Sequence, residues 1–413
     1  MMTKPNWFDS RIENALLEHQ SPDDEQGYFV YQLDALKKHL DQLQQQDVIK
    51  LWFAVKANPL SKIIQTLDSA GFNFDVASAG ELAQVLAQGI SPDRILNTGP
   101  AKSKKQLTAF VKLGVETFVV ESLNQLTWLN EVIAEQALTE QGIAKKPTVL
   151  LRVQLQWPDG EKNPLGGNSL TPFGLSVEEW QNVQVSDYPH LDICGLHIFQ
   201  WGNMLSNEKM HSLWGQMVAP LTSLATDIGM ELKILDLGGG LGIDYLNEGK
   251  QLSWQQVITD LADIKAQSGV EELWLELGRF AVAECGYYVV PVVDRKINYA
   301  QEQLVLAAGI NHLIRPAITE QPFPVTLLRN SNAPSQAFDL HGPLCTSLDK
   351  LGHLPLPNDI AVDDKLVFGY CGAYGFTESM PFFLCHQLAA EYVFQAGALV
   401  EIRPAQPATS YLA

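Results

Sequence analysis

Short apolar runs along this chain alternate with longer segments in which apolar residues recur every three or four positions. The short runs predict buried strands, and the longer segments, such as 79–89 and 106–114, predict helices with one apolar face. The predicted strands are 51–55, 74–77, 94–97, 117–120, 149–153, 193–199, 233–237 and 273–277. Alternating β and α units spread over about 240 residues predict a (β/α)8 barrel of the TIM type.

After residue 286 the pattern changes to strand-like runs separated by proline and glycine, with few helical segments. These runs predict strands at 287–294, 303–308, 325–329, 337–340 and 365–368. They indicate a C-terminal, mostly antiparallel β domain, and the run at 28–31 is expected to add a strand to it. The predicted parts are an N-terminal segment that joins the β domain, the barrel, and the β domain itself, at 1–35, 36–283 and 284–413.

Composition narrows the class of protein. A chain of 413 residues, 46% hydrophobic and 18% charged, is globular and long enough for two cores. The net charge of −19 argues against nucleic acid or an anionic membrane as a partner. The five cysteines are scattered and form no CxxC pair, so we expect free thiols and no zinc site. No stretch resembles a signal peptide or a membrane span, so we expect a cytoplasmic protein.

Lys56 is the first candidate for chemistry. It directly follows the predicted strand 51–55 and precedes Asn58 and Pro59, so it is expected where a barrel strand opens into a loop. A partly desolvated lysine at that end can form a Schiff base with an aldehyde cofactor. The alternative is a lysine that only terminates a strand.

Two further motifs follow predicted strands. The segment 236–242 contains Gly238, Gly239 and Gly240, whose backbone amides can surround a phosphate, although a tight turn without a ligand is the alternative. Glu276 ends the last predicted barrel strand, with Arg279 three residues later. These two side chains are candidates for a cofactor site or for a structural ion pair.

Three candidates lie in the predicted β domain. Cys345 and Tyr374 occur in glycine- and proline-rich turns, where they are ligand contacts or small core fillers. Arg315 precedes Pro316, and this position predicts an extended backbone at the arginine.

Taken together and in this order, the motifs resemble the fold-type III pyridoxal-phosphate decarboxylases, the family of diaminopimelate and ornithine decarboxylases. The resemblance covers about residues 28 to 397 and implies an alanine racemase-like barrel. It implies pyridoxal 5'-phosphate as cofactor, a small-molecule amino-acid substrate, and a homodimer with shared active sites. The implied cofactor contacts are Lys56 as the Schiff-base lysine, Asp75, Gly238, Gly239, Gly240, Glu276, Arg279 and Tyr374.

The resemblance also implies roles toward the substrate. Arg315 lies in the segment that is similar to the family's binding site for the substrate carboxylate. Cys345 resembles the cysteine that reaches the neighbouring subunit's active site, where it is a candidate proton donor. Glu276 would keep the pyridine nitrogen protonated, which separates this chain from alanine racemases, since these use arginine there.

The chain departs from the family mainly where the substrate is expected. Thr346 follows Cys345, where the family often has an acidic residue for a distal amine; Asp349 and Glu378 are candidate replacements. In the family's histidine motif this chain has His197, a candidate catalytic residue, and Phe199, and either ring is a candidate to stack on the cofactor.

These departures are typical of the branch that acts on derivatised amino acids in siderophore biosynthesis. The favoured substrate is therefore a conjugate such as citryl-diaminopropionate. The alternatives are a diaminopimelate or carboxynorspermidine-type decarboxylase, a racemase of the same fold, and a non-catalytic relative that binds a partner protein.

Overall fold

The structure, a computed structural model, describes residues 4–19, 25–139, 145–157, 162–163, 166–167 and 171–412. The chain forms two compact units. One comprises Leu40–Ile243 and Lys250–Gly278, and the other comprises Met1–His39, Asp244–Gly249 and Arg279–Ala413. The domain limits predicted at 35/36 and 283/284 stay a prediction.

The first unit is a closed barrel of eight parallel strands, in which each strand pairs with its neighbours in the chain and the last pairs with the first. The strands are β1 (Ile49–Ala54), β2 (Asn73–Val76), β3 (Ile95–Asn97), β4 (Thr117–Val120), β5 (Thr148–Arg152), β6 (Asp192–His197), β7 (Ile234–Asp236) and β8 (Glu272–Leu277). These strands are almost continuously apolar because both of their faces are buried. The predicted TIM-type barrel is confirmed.

Helices connect the barrel strands. They are Ser61–Ser69, Ala79–Leu86, Lys104–Lys112, Leu123–Thr139, Val177–Trp180, Asn207–Asp227 and Trp254–Ser268, and Leu33–Leu43 precedes β1. Serine side chains start several of them: Ser78 Oγ, for example, accepts a hydrogen bond from the Glu81 N–H, while the Glu81 carboxylate accepts one from Ala77. This pair of contacts satisfies backbone donors that the first helical turn leaves open.

The barrel interior is filled by side chains. The rings of Trp52 and Trp274 lie 4.9 Å apart, and the Lys50 ammonium lies 4.9 and 4.8 Å from these rings. Burying side chains of this size contributes about 1.5–3 kcal/mol each. The buried cluster consists of Trp52, Leu96, Val119, Leu150, Cys194, Ile234 and Trp274.

The second unit is built on a nine-stranded, mostly antiparallel sheet. In sheet order its main path is Lys350–Pro357, Ser335–His341, Gln301–Leu306, Gly286–Asn298, Tyr28–Gln32, Ala390–Gln395 and Ala398–Arg403. Lys365–Phe368 pairs with Gly286–Asn298 and with Val325–Leu327. The short pairs Gln387–Leu388 with Gln406–Pro407 and Lys162–Asn163 with Gly166–Gly167 lie outside both sheets.

The early strand of this unit has two different neighbours. Tyr28–Gln32 pairs antiparallel with Gly286–Asn298 and parallel with Ala390–Gln395. The helix Ser10–Glu18 contributes Ile12 and Leu16 to the same buried cluster as Tyr28. Among the described residues, the unit's other helices are Arg279–Val282 and Arg315–Thr319. Short 3-10 turns are described at Val55–Ala57, Pro92–Arg94, Val185–Asp187, Ala283–Cys285, Phe376–Glu378, Phe383–Cys385 and Ala408–Leu412.

Candidate active site

Five neighbouring barrel strands carry polar site residues at or just beyond their carboxyl ends: four that the sequence predicted, and Asp236, which sequence reasoning did not single out. His197 ends β6, Asp236 ends β7, and Glu276 is the second-last residue of β8. Lys56 lies in the short turn after β1, and Asp75 lies near the end of β2. Since these strands are parallel and adjacent in the barrel, their side chains gather at one rim, which is where TIM barrels hold their active sites.

Lys56 and Asp75 form an ion pair at this rim, with 3.7 Å between Nζ and Oδ2. The lysine side chain is 53% exposed, whereas the aspartate is buried and also accepts a hydrogen bond from the Thr98 hydroxyl at 2.5 Å. Burial and the nearby Glu276 raise the pKa of Asp75 to about 7, against the opposing effect of Lys56 and Thr98. An accessible amine therefore stands beside a carboxyl group that titrates near neutrality.

His197 and Glu276 form a second, fully buried pair. Nε2 of His197 lies 3.3 Å from Oε1 of Glu276, but the geometry makes no hydrogen bond between them. Burial lowers the pKa of His197. Burial also opposes ionisation of Glu276, yet His197, Lys56 and Arg152 outweigh it and hold the pKa of that carboxyl at about 2. Glu276 is thus ionised, with an oxygen that no described residue satisfies.

The glycine-rich segment after β7 is packed too tightly for side chains. Gly238 and Gly240 have φ of 62° and 107°, a backbone conformation that favours glycine. A Cβ on Gly238 would lie 2.7 Å from the Cβ of Phe199, and one on Gly239 would collide with the Glu276 carbonyl oxygen. The loop therefore requires glycine, and its backbone lies directly against the segments that carry Phe199 and Glu276.

Sequence reasoning missed a buried cluster on the same barrel. The Arg152 guanidinium donates to Glu121 at 3.0 Å, and Lys102 Nζ lies 3.9 Å from the same carboxylate oxygen. Burial lowers the pKa of Lys102 to about 8. Arg152 ends β5 and Glu121 directly follows β4, so the rule that singled out Lys56 and Glu276, a charged residue at a strand end, also applies to them.

In the sheet unit, two arginines flank the predicted phosphate-binding tyrosine. The Arg279 and Arg315 guanidiniums lie 4.9 and 4.5 Å from the Tyr374 ring, and both arginines are buried. Arg279 also donates to the Tyr245 hydroxyl at 2.6 Å, a partner that sequence reasoning did not single out. Tyr374 has a φ of 52°, so its ring is held by a strained backbone.

The predicted substrate residues of this unit are already paired. Arg315 donates to both carboxylate oxygens of Glu378, at 2.7 and 2.9 Å. The expected extended backbone at Arg315 is wrong, because Arg315 begins the helix Arg315–Thr319. Pro316 is tolerated there because the first helical turn does not need its missing N–H.

Asp349 is buried beneath the loop that carries Cys345 and Thr346. Its two carboxylate oxygens accept hydrogen bonds from the backbone N–H groups of Ile310 and Leu344, both at 2.7 Å. Cys345 is exposed and Thr346 is partly exposed. The segment 157–172 is rich in glycine, proline and asparagine, and the sequence predicts a loop there over the barrel mouth; it lies mostly outside the described residues.

The comparisons with known proteins decide the family. Residues 32–283, more than half of the chain, match the model of the family described as "Pyridoxal-dependent decarboxylase, pyridoxal binding domain". This chain belongs to that family. It is a pyridoxal-phosphate-dependent carboxy-lyase, and the resemblance read from its motifs is confirmed.

Curated relatives and solved structures match over most of the decarboxylase. It is 28% identical to the 2-[(L-alanin-3-ylcarbamoyl)methyl]-2-hydroxybutanedioate decarboxylase of Staphylococcus aureus over 87% of this chain and 92% of that protein. It is 30% identical to the diaminopimelate decarboxylase of Pseudomonas aeruginosa, over 79% and 77% of the two chains. The structure of diaminopimelate decarboxylase from Helicobacter pylori has the same fold, with a TM-score of 0.84, 21% identity, and coverage of 97% of this chain and 98% of that one.

The rim residues fit the family's cofactor. Glu276 is buried, its neighbours favour the ionised form of its carboxyl, and its Oε1 finds no donor among the described residues, as suits a partner of a protonated ring nitrogen. Gly238 and Gly240 have positive φ, and turns of this kind allow successive backbone N–H groups to surround a phosphate. Lys56 offers an accessible amine. Separately, no helix among the described residues is long and apolar enough to cross a membrane.

Proposed function

We propose that this decarboxylase removes the α-carboxylate of an amino-acid conjugate whose distal nitrogen is acylated, such as citryl-diaminopropionate. The observation that carries the proposal is the position after Cys345, where Thr346 replaces the acidic residue that the family often has. A neutral hydroxyl suits an amide, whereas a free distal ammonium needs a carboxylate. Leaving a buried charge without its partner costs about 3–5 kcal/mol.

The two candidate replacements for that acidic residue are engaged elsewhere. Both oxygens of Asp349 accept backbone hydrogen bonds, so we propose that Asp349 holds the Cys345 loop rather than a substrate amine. Glu378 is paired with Arg315 through both oxygens. Recruiting either carboxylate would break contacts that the protein already makes.

The relatives support both this proposal and one alternative. The S. aureus relative is named for a substrate with a carbamoyl link on its alanine unit, which is the kind of conjugate proposed here. Diaminopimelate decarboxylases of several bacteria match nearly as well, and they favour diaminopimelate as the alternative substrate. Thr346 is the residue that distinguishes the two proposals.

Within the site we propose the following roles. When bound, the pyridoxal ring withdraws electrons from the substrate α-carbon. Lys56 holds the cofactor aldehyde, Glu276 keeps the ring nitrogen protonated, and His197 and Phe199 are the candidates to lie against the ring. The proposed phosphate contacts are Gly238, Gly239 and Gly240 in the barrel unit and Arg279 and Tyr374 in the sheet unit, and Arg315 is the proposed contact for the substrate.

We propose that Cys345 delivers a proton to the α-carbon after carbon dioxide leaves, and that it does so in the partner subunit of a homodimer. Its exposed position on the surface of its own unit supports this role. Mixing Lys56→Ala and Cys345→Ala proteins tests it, since random pairing restores roughly a quarter of the wild-type sites in a two-fold dimer with shared sites. No recovery of activity in the mixture would exclude sharing.

All five cysteines are free, which supports a cytoplasmic location.

The deciding experiment measures carbon dioxide release by the purified protein loaded with pyridoxal 5'-phosphate. The substrates are diaminopimelate, lysine, ornithine, carboxynorspermidine and citrate-conjugated diaminopropionate. Release from the conjugate alone is the expected result. Equal turnover of free diaminopimelate would overturn the proposal, and α-proton exchange without carbon dioxide would point to a racemase.

A further inference from the structure

Three carboxyl groups are buried at neighbouring strand ends of the barrel. Asp236 and Glu276 lie on β7 and β8, and Asp75 lies on β2. Lys56 forms an ion pair with one of them, Asp75, and its side chain is half exposed. Three buried carboxylates beside one lysine cannot all be ionised, because like charges in a shared site favour a proton on one of them.

The contacts show which carboxyl groups can carry charge. Lys56, His197 and Arg152 all favour the ionised form of Glu276. Asp75 has Lys56 at 3.7 Å and the Thr98 hydroxyl at 2.5 Å. Among the described residues, the Asp236 carboxyl pairs with no cation and no hydroxyl, and it accepts a hydrogen bond from the Gly238 N–H, at 2.8 Å from Oδ1.

The Asp236 carboxyl lies close to Glu276 and His197. One ligating atom each from His197, Asp236 and Glu276 lies within 4.8 Å of the other two, and all three side chains are buried. Oδ2 of Asp236 and Oε1 of Glu276 find no hydrogen-bond donor among the described residues. A proton on Asp236 would let Oδ2 donate to the Glu276 carboxylate, since a carboxylic acid donates where a carboxylate only accepts. The Glu276 oxygens would still have lone pairs for a further donor, such as a protonated ring nitrogen.

We propose that Asp236 is a positioning residue, a neutral carboxylic acid whose Oδ1 accepts the Gly238 N–H while its Oδ2–H donates to the Glu276 carboxylate. It would thereby join the loop expected at the cofactor phosphate to the carboxylate expected at the ring nitrogen. The inference rests on the proposed cofactor site but not on the proposed substrate.

The electrostatics of the surroundings agree with the geometry. Burial, Glu276 and Asp75 raise the pKa of Asp236 well above its ordinary value, and the Gly238 N–H opposes them. The groups that face Asp236 are thus two carboxyl groups and the imidazole of His197, whose pKa burial lowers. No cation among them favours a charge on Asp236.

A pair of variants separates a neutral acid from a carboxylate. Asp236→Asn keeps one acceptor and one donor in place, so it imitates the neutral acid. Asp236→Leu has a similar size and can make neither contact. Glu276 would then lose a hydrogen bond to its charge, which is typically one of the stronger kinds.

The first readout is infrared spectroscopy of the cofactor-free protein at about pH 8.5, where Asp75, with a pKa of about 7, is ionised. The carbonyl stretch of a protonated carboxylic acid is expected in wild type and in Asp75→Asn, and is expected to disappear in Asp236→Asn. The Asp75→Asn protein is the control because Asp75 also titrates near neutrality. If the band is lost in Asp75→Asn but retained in Asp236→Asn, the assignment to Asp236 is wrong.

The second readout is the affinity for pyridoxal 5'-phosphate, followed by its absorbance. Asp236→Asn should bind within about threefold of wild type, whereas Asp236→Leu should bind about tenfold or more weakly, as expected for loss of a hydrogen bond to a charged group. Equal losses in the two variants would show that a carboxylate is needed and would overturn the proposal. If the leucine variant does not fold, the infrared comparison still decides. Neither readout uses a substrate, so failure of the proposed substrate would leave both tests intact.

Discussion

The barrel unit and the sheet unit hold their predicted site residues in different ways. At the barrel rim, Lys56 is accessible, and Glu276 and His197 have polar atoms that no described residue satisfies. In the sheet unit, Arg315 is paired with Glu378, and Asp349 is saturated by backbone N–H groups. At the barrel rim, polar atoms are thus left for a ligand to contact. In the sheet unit, Asp349 and Glu378 are hydrogen-bonded to other residues of the protein. The difference supports the proposed substrate, an amino acid whose distal nitrogen is acylated.

The largest effect is expected from Lys56→Ala, which tests the barrel side of this comparison. The variant should lose covalent attachment of the cofactor and at least roughly three powers of ten in activity, as when an enzyme loses its nucleophile. Mass spectrometry after borohydride reduction measures the attachment. The exposed Lys62 in the next helix gives the matched control, Lys62→Ala. If the Lys56→Ala protein still carries the mass of the cofactor, the cofactor is attached to another lysine.

The sequence predicts the site residues of the barrel unit better than those of the sheet unit. Residues such as Lys56, His197 and Glu276 could be found because a barrel strand delivers whatever follows it to one rim, so position along the chain implies position in space. Lys102, Glu121 and Arg152 end or follow three different barrel strands. The sequence shows that these residues are charged, but it does not show that they contact one another.

The sheet unit was less predictable for a related reason. Its strands and their antiparallel pairing follow from the apolar runs, but its candidate residues lie in loops whose paths depend on tertiary contacts. Asp349 accepts a hydrogen bond from Ile310, a residue more than 30 positions away, and another from Leu344 across a local turn. The helix that starts at Arg315 likewise depends on local turn geometry. Local preference before proline therefore gave the wrong backbone at Arg315.

The next-largest effect is expected from Asp75→Asn, which removes a buried carboxyl group from the barrel rim. The pKa of Asp75 in the folded protein, about 7, lies above the ordinary value of 3.8. Folding therefore favours the protonated form of Asp75, and this stabilises the folded protein fully at pH values below 3.8. The stabilisation is lost as the pH rises through about 7, and the loss is on the order of 4 kcal/mol at most. Cofactor-free Asp75→Asn should lose less stability than wild type on going from about pH 6 to about pH 8.5.

Urea unfolding at the two pH values measures this difference. The groups that face Asp75 are Glu276, Lys56, Thr98 and Glu81. Glu276 does not interfere, because its depressed pKa places its own contribution below the pH window. Asp93→Asn changes an exposed carboxyl and serves as the control. Identical pH profiles for wild type and Asp75→Asn would mean that Asp75 ionises without penalty in the folded protein.

The smallest effect is expected from Thr346→Glu, which attempts to give the sheet unit the acidic group that it lacks. A carboxylate at this partly exposed position should raise kcat/KM for diaminopimelate by roughly tenfold, mainly through KM, since a hydrogen bond to a charged group is worth about 1.5–3 kcal/mol and exposure reduces it. The same change should lower kcat/KM for the citrate conjugate, whose carboxylates it would repel. Thr346→Gln is the control, because it matches the size of glutamate without the charge. If glutamate and glutamine change the two substrates equally, the charge at position 346 does not set specificity, and the contrast between the two units would have to be explained by shape instead.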